Sequence, residues 1–144
     1  MNDWKEKLTV IARRCIETEK VCRAHPLAYS SCPHQGHDWA EYQVLSAEWQ
    51  EAESDLWRAT DVEYDDTDAL RAACWQWRYC KVMARKCTYL LLKHGAKGSQ
   101  LAGELMQNLH MAEMNLMGLL GLMGEYKAPT KFIEEQFPRL KKVS

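Results

Sequence analysis

Five residues able to hold a metal fall within one short stretch of this chain. The segment CRAHPLAYSSCPHQGH places Cys22, His25, Cys32, His34 and His37 within sixteen positions. Two thiolates and two neutral imidazoles make the donor set of a tetrahedral structural zinc site, so Cys22, His25, Cys32 and His37 are the candidate ligands. Zinc there would also order a long loop between two helices. The spacings, Cys22-x2-His25 and Cys32-x4-His37, match no standard zinc finger. Cys22 equally suits the buried stripe of a helix, where a free cysteine behaves as a small hydrophobe.

Other chemistry finds less support. Asp61, Glu63, Asp65, Asp66 and Asp68 echo the start of a calcium loop. The position that needs glycine is Asp66, however, and the bidentate acid's place is taken by Ala72. An acidic helix start is the simpler reading. His37-x3-Glu41 and His110-x2-Glu113 echo di-iron helices, but the matching carboxylates are missing from the third helix. The thioethers of Met106, Met111, Met114, Met117 and Met123, with Cys15, Cys80 and Cys87, are soft donors for Cu(I). Their helical spacing points to packing instead. With no phosphate-binding glycine loop and no nucleophile elbow, the chain does not read as an enzyme.

Charge is the second strong feature. From Asp38 to Asp68 there are eleven acids and one base, Arg58. From Ala69 to Lys97 there are seven bases and no acid. Arg71, Cys74, Arg78, Lys81 and Arg85 recur at helical spacing, followed by Lys86, with Trp75, Tyr79 and Tyr89 on the flanks. Bases beside aromatic rings suit phosphates and exposed nucleobases. The alternatives are a solvated face, pairing with the acidic second helix, or head-to-tail contact between subunits.

The elements that position these residues read as helices throughout. The first starts at Asp3-x-x-Glu6, a capping box, and places Trp4, Leu8, Ile11, Cys15 and Cys22 on one stripe. The second starts at Asp38-x-x-Glu41 and runs through Tyr42, Leu45, Trp49, Ala52, Leu56 and Ala59. The third starts in the cluster Asp65–Asp68, where acids favour a helix N-terminus, and carries Leu70, Ala73, Trp77, Cys80, Ala84, Cys87 and Leu91. It should stop near Gly95. The fourth, from about Ser99, carries Leu105, Leu109, Ala112, Leu116, Leu119 and Met123. It is apolar on most of its circumference, which suits a central position or a subunit interface.

The expected fold is therefore all-α, a helical bundle of about four helices with a Cys/His-containing loop between the first and second. At 144 residues it should be a single domain, with a basic C-terminal tail from about residue 127. No apolar run approaches the ~20 residues of a membrane span, and MNDWKEKL lacks the features of a secretory signal. The cytoplasm is then the expected compartment and the six cysteines are expected as thiols or metal ligands.

From Glu48 to Lys131 the pattern is similar to that of a known family. A Trp-containing helix, AEWQEAESDLW, leads to an acidic turn and then to a helix with Asp66, Leu70, Cys74 and Trp77 in spaced positions. A glycine-containing break, a further long helix and a Gly124…Pro129 ending follow. In this the chain resembles the small subunits of phage terminases. Two features depart from the family pattern: Lys127 and Lys131 straddle the proline, and no helix-turn-helix is clear in the N-terminal part.

The resemblance implies a non-enzymatic, oligomeric DNA-packaging adaptor that binds double-stranded DNA and a large ATP-driven subunit. Arg71, Arg78, Lys81, Arg85 and Lys86, with the tail bases Lys131, Arg139, Lys141 and Lys142, would contact DNA phosphates or the motor. The alternative is a helical protein-binding module, an inhibitor or small subunit of a larger complex, whose loop is held by zinc.

Overall fold

The computed structural model describes residues 3–29 and 36–126. Among these residues every regular element is a helix, so the protein is all-α as the periodicity requires. The elements are α1 (Asp3–Ala24), a 3-10 turn (Pro26–Tyr29), α2 (Gly36–Ala59), α3 (Ala69–Ala84), α4 (Cys87–Leu119) and the single turn α5 (Met123–Tyr126). No helix among the described residues is long and apolar enough to cross a membrane. The chain divides into two compact units, Met1–Leu56 with Gly124–Ser144, and Trp57–Met123. The tail from residue 127 lies outside the described residues.

In the first unit α1 buries Leu8, Ala12, Cys15, Ile16 and Cys22. This is the expected stripe rotated slightly, with Ala12 and Ile16 inside where Trp4 and Ile11 were expected. Helices α1 and α2 run antiparallel. Arg14 near the middle of α1 meets Asp55 at 3.1 Å and Glu51 at 3.8 Å, while His25 just after α1 meets Glu41 at 2.8 Å. Glu125 takes an ion pair from Arg13 at 3.4 Å, and its carbonyl accepts a hydrogen bond from the Lys20 ammonium. Partial burial of that ammonium lowers the Lys20 pKa, against the pull of Glu125.

The second unit is built on α3. Its N-cap is Asp68, whose carboxylate accepts from the backbone N–H groups of Leu70 (3.1 Å) and Arg71 (3.3 Å). This satisfies two of the free donors of a helix start, as the acidic cluster suggested. Helix α3 buries Leu70, Ala73, Cys74, Trp77 and Cys80. It does not continue to Gly95. The chain turns at Arg85 and Lys86, with the Lys86 N–H bonded to the Met83 carbonyl at 3.1 Å, and α4 begins at Cys87.

Gly95 acts inside α4 instead. Its dihedrals, φ 57° and ψ −128°, are open to glycine and costly for residues with a Cβ. The Cys87 thiol lies 3.8 Å from the Ala102 carbonyl, fifteen residues on. An unbroken helix would separate them by about 22 Å, so the chain doubles back at Gly95. Residues 87–94 form a short arm, and residues 96–119 return along α3 with Ala102, Leu109, Ala112, Leu116 and Met117 buried. The return arm closes on Gly121 (φ 72°), with Leu122 N–H bonded to the Met117 carbonyl at 2.8 Å and Gly121 N–H to that of Gly118 at 3.1 Å. This is the glycine C-cap in which two of the orphan carbonyls are satisfied.

Candidate interaction site

The residues proposed for zinc divide sharply. His25 is buried, its Nε2 is 2.8 Å from Glu41 Oε1, and its Nδ1 accepts the Leu27 N–H at 3.2 Å. Accepting at Nδ1 puts the ring proton on Nε2, which then donates to the carboxylate. Both nitrogens are thus engaged, and a zinc ion would have to displace one of these bonds. Cys22 is buried beside it, and loss of solvation pushes its thiol pKa up, against a hydrogen bond from Tyr42. Cys32 and the His37 side chain lie outside what the structure describes. Among the described residues no three His, Cys, Asp or Glu side chains converge on a metal site.

The basic residues of α3 also divide, by how far the fold has already used them. The Arg78 guanidinium lies 3.9 Å from the centre of the Trp57 ring, donates to the Trp57 carbonyl and to Thr60 Oγ1 (3.5 Å), and faces Asp61 at 4.0 Å. Trp57 is in the last turn of α2, where carbonyls lack helical partners, so Arg78 ties off that helix end. Arg71 is held by Asp68 at 3.4 Å and by the Glu63 carbonyl at 3.5 Å. Lys81 sits 5.7 Å from the centre of the Trp77 ring. Arg85 is exposed although it lies over Trp57 at 5.2 Å, and Lys86, Lys93 and Lys97 are exposed. Lys131, Arg139, Lys141 and Lys142 lie outside the described residues.

The most site-like feature is one the sequence alone does not announce. An open groove of about 540 Å³ runs beside α3, with Tyr64, Trp75 and Tyr79 as walls, Ala72 in its floor, and the amides of Gln76 and Asn115 at its edge. Asn115 comes from the return arm of α4, so the reversal at Gly95 completes the groove. Two of its walls are held in place. Trp75 Nε1 donates to the Val62 carbonyl at 2.8 Å, and Tyr64 meets the Trp75 ring edge-on at 5.8 Å between centres. Yet the three rings remain 47–62% exposed, an open cost for apolar surface. Trp75 and Tyr79 stand four residues apart outside the apolar stripe of α3, a signal present in the sequence. Tyr64 belongs to a loop, whose path periodicity does not report.

No family model, curated protein or solved structure matches this chain. Fold and site together define an all-α protein with a preformed aromatic groove.

Proposed function

We propose that this chain is a non-enzymatic oligomeric adaptor, a helical subunit that binds copies of itself and other macromolecules. The observation that carries this reading is the apolar surface left open on the second unit. Tyr79 on α3, Tyr89, Leu91 and Leu92 on the short arm of α4, and Met106 and Met111 on its return arm are all exposed. Singly exposed apolar residues are ordinary; we read these six together as a partner surface, the use to which exposed apolar patches are put. Sedimentation velocity tests it: assembly beyond the monomer at micromolar concentration is expected, and a monomer throughout would remove the oligomeric part.

In its DNA-packaging form, which the likeness to phage terminase small subunits suggests, the adaptor joins double-stranded DNA to a large ATP-driven subunit in the cytoplasm. Support comes from the exposed bases Arg85, Lys86, Lys93 and Lys97 in a stretch without acids. Phosphate contacts release counterions, so DNA affinity should fall steeply as salt rises. Salt-insensitive binding, or none at low salt, would count against it.

A second reading is a protein-binding module whose loop is held by zinc on Cys22, His25, Cys32 and His37. The aromatic groove favours its protein-binding half. Serine at both Cys22 and Cys32 would then release metal and lower the thermal midpoint, whereas unchanged stability would leave the loop held by protein contacts alone.

A further inference from the structure

We propose that the aromatic groove receives the basic end of a second copy of this chain, so that copies associate head to tail. The inference rests on the oligomeric reading above and adds the two surfaces that meet. It starts from the polarity of the second unit. The loop entering α3 carries Asp61, Glu63, Asp65 and Asp66, all exposed, on either side of the groove wall Tyr64. Arg78 answers Asp61, and Arg71 answers Asp68. Glu63 and Asp66 make no ion pair among the described residues. Beyond the other end of α3 stand the exposed cations Arg85 and Lys86. The helix between is 16 residues long, so the two ends lie about 24 Å apart.

The groove's chemistry selects a cation. Ring faces attract guanidinium and ammonium groups, and neighbouring carboxylates add to that field. The protein already uses the pairing internally, with Arg78 and Arg85 over Trp57 and Lys93 over Tyr89 at 5.3 Å. DNA is a poor occupant, because its phosphates would face the acids around Tyr64. Gln76 and Asn115 supply amides for the backbone of an entering segment. Because the two surfaces differ, each docked copy presents a fresh groove, and association continues until a ring closes or a filament grows. Arg85 and Lys86 are then spent between copies, which leaves Lys93 and Lys97 for other anions.

The test uses the full chain and two variants, each changing only exposed side chains. One neutralises the groove entrance (Glu63→Gln with Asp66→Asn), the other the basic end (Arg85→Gln with Lys86→Gln). In sedimentation velocity the wild type should assemble at low salt and dissociate as salt screens the charges. Each variant alone should be monomeric with an unchanged helical circular dichroism spectrum. An equimolar mixture should form a dimer and nothing larger, since one intact groove meets one intact basic end. If both variants assemble like the wild type, the docking mode is overturned and the adaptor reading stands on another surface, such as Leu91 and Leu92. A mixture that stays monomeric also overturns it. A wild type that is monomeric at every salt removes the inference and the oligomeric reading together.

Discussion

His25 is fully buried and anchors the end of α1 by its own hydrogen bonds, to Glu41 and to the Leu27 amide. His25→Leu would keep the volume roughly but strand the Leu27 N–H and remove the hydrogen bond to the carboxylate. A buried donor left without a partner costs about 1–3 kcal/mol, so unfolding in urea should show a loss of that size. The loss should be the same with and without a chelator; if it vanishes once metal is stripped, zinc rather than the Glu41 pairing holds the site. Cys74 offers a second test. Burial raises its thiol pKa from 9.0 to about 11, against the pull of Arg78 and Arg71. Below pH 9 the thiol is neutral in both folded and unfolded chains. Between pH 9 and 11 only the unfolded chain ionises, so this group's contribution to stability is lost as pH rises through that window. The thermal midpoint of the wild type should therefore fall more between pH 8 and 11 than that of Cys74→Ala. Parallel curves would show that Cys74 is not held neutral by the fold.

At the scale of the elements, two residues decide where helices start and turn. Asp68→Ala should cost about 1 kcal/mol, the usual worth of an N-cap, because two α3 amides lose their acceptor. Gly95→Ala should cost about 1–3 kcal/mol, because the alanine Cβ is strained at φ 57° and ψ −128° although no atom crowds the site. A Gly95→Ala protein as stable as the wild type in denaturant would mean the chain does not double back there. These two positions also show what could be read from the sequence. The helical period, the acidic start of α3 and the importance of Gly95 were legible, because each is a local preference of the backbone. The break at Arg85–Lys86 was not, because neither residue disfavours a helix. The stripe Ala84, Cys87, Leu91 continues in sequence, and yet Leu91 is exposed. The chain gives up that continuation so that α3 can pack along the return arm of α4. Donor type singles out four candidate zinc ligands, but type does not reveal that His25 meets a carboxylate sixteen residues away. The groove stayed hidden for the same reason, since it joins a loop tyrosine to an asparagine from another helix.

For the whole molecule, part of the segregated charge is paired inside each unit. Glu51 and Asp55 of α2 are met by Arg14 of α1, while Arg71 and Arg78 of α3 are met by acids of the loop that precedes it. The bases thereby fall into two groups, those tied into the fold and those left facing solvent. Any DNA contact should follow that division rather than the helical stripe. Arg71→Gln should leave DNA affinity and its salt dependence nearly unchanged, because its guanidinium already serves Asp68 and Glu63. Lys93→Gln with Lys97→Gln should weaken binding similarly on every sequence, since phosphate contacts position a protein without reading bases. The slope of log affinity against log salt should also become shallower by about 1 for each phosphate no longer neutralised. Fluorescence anisotropy with a labelled duplex across a salt series measures both quantities. If Arg71→Gln weakens binding as strongly as the double lysine variant, the internal pairs open on DNA and the whole α3 stripe belongs to the interface. If neither changes the slope, the bases of the second unit serve protein contacts, and DNA recognition by this chain loses its support.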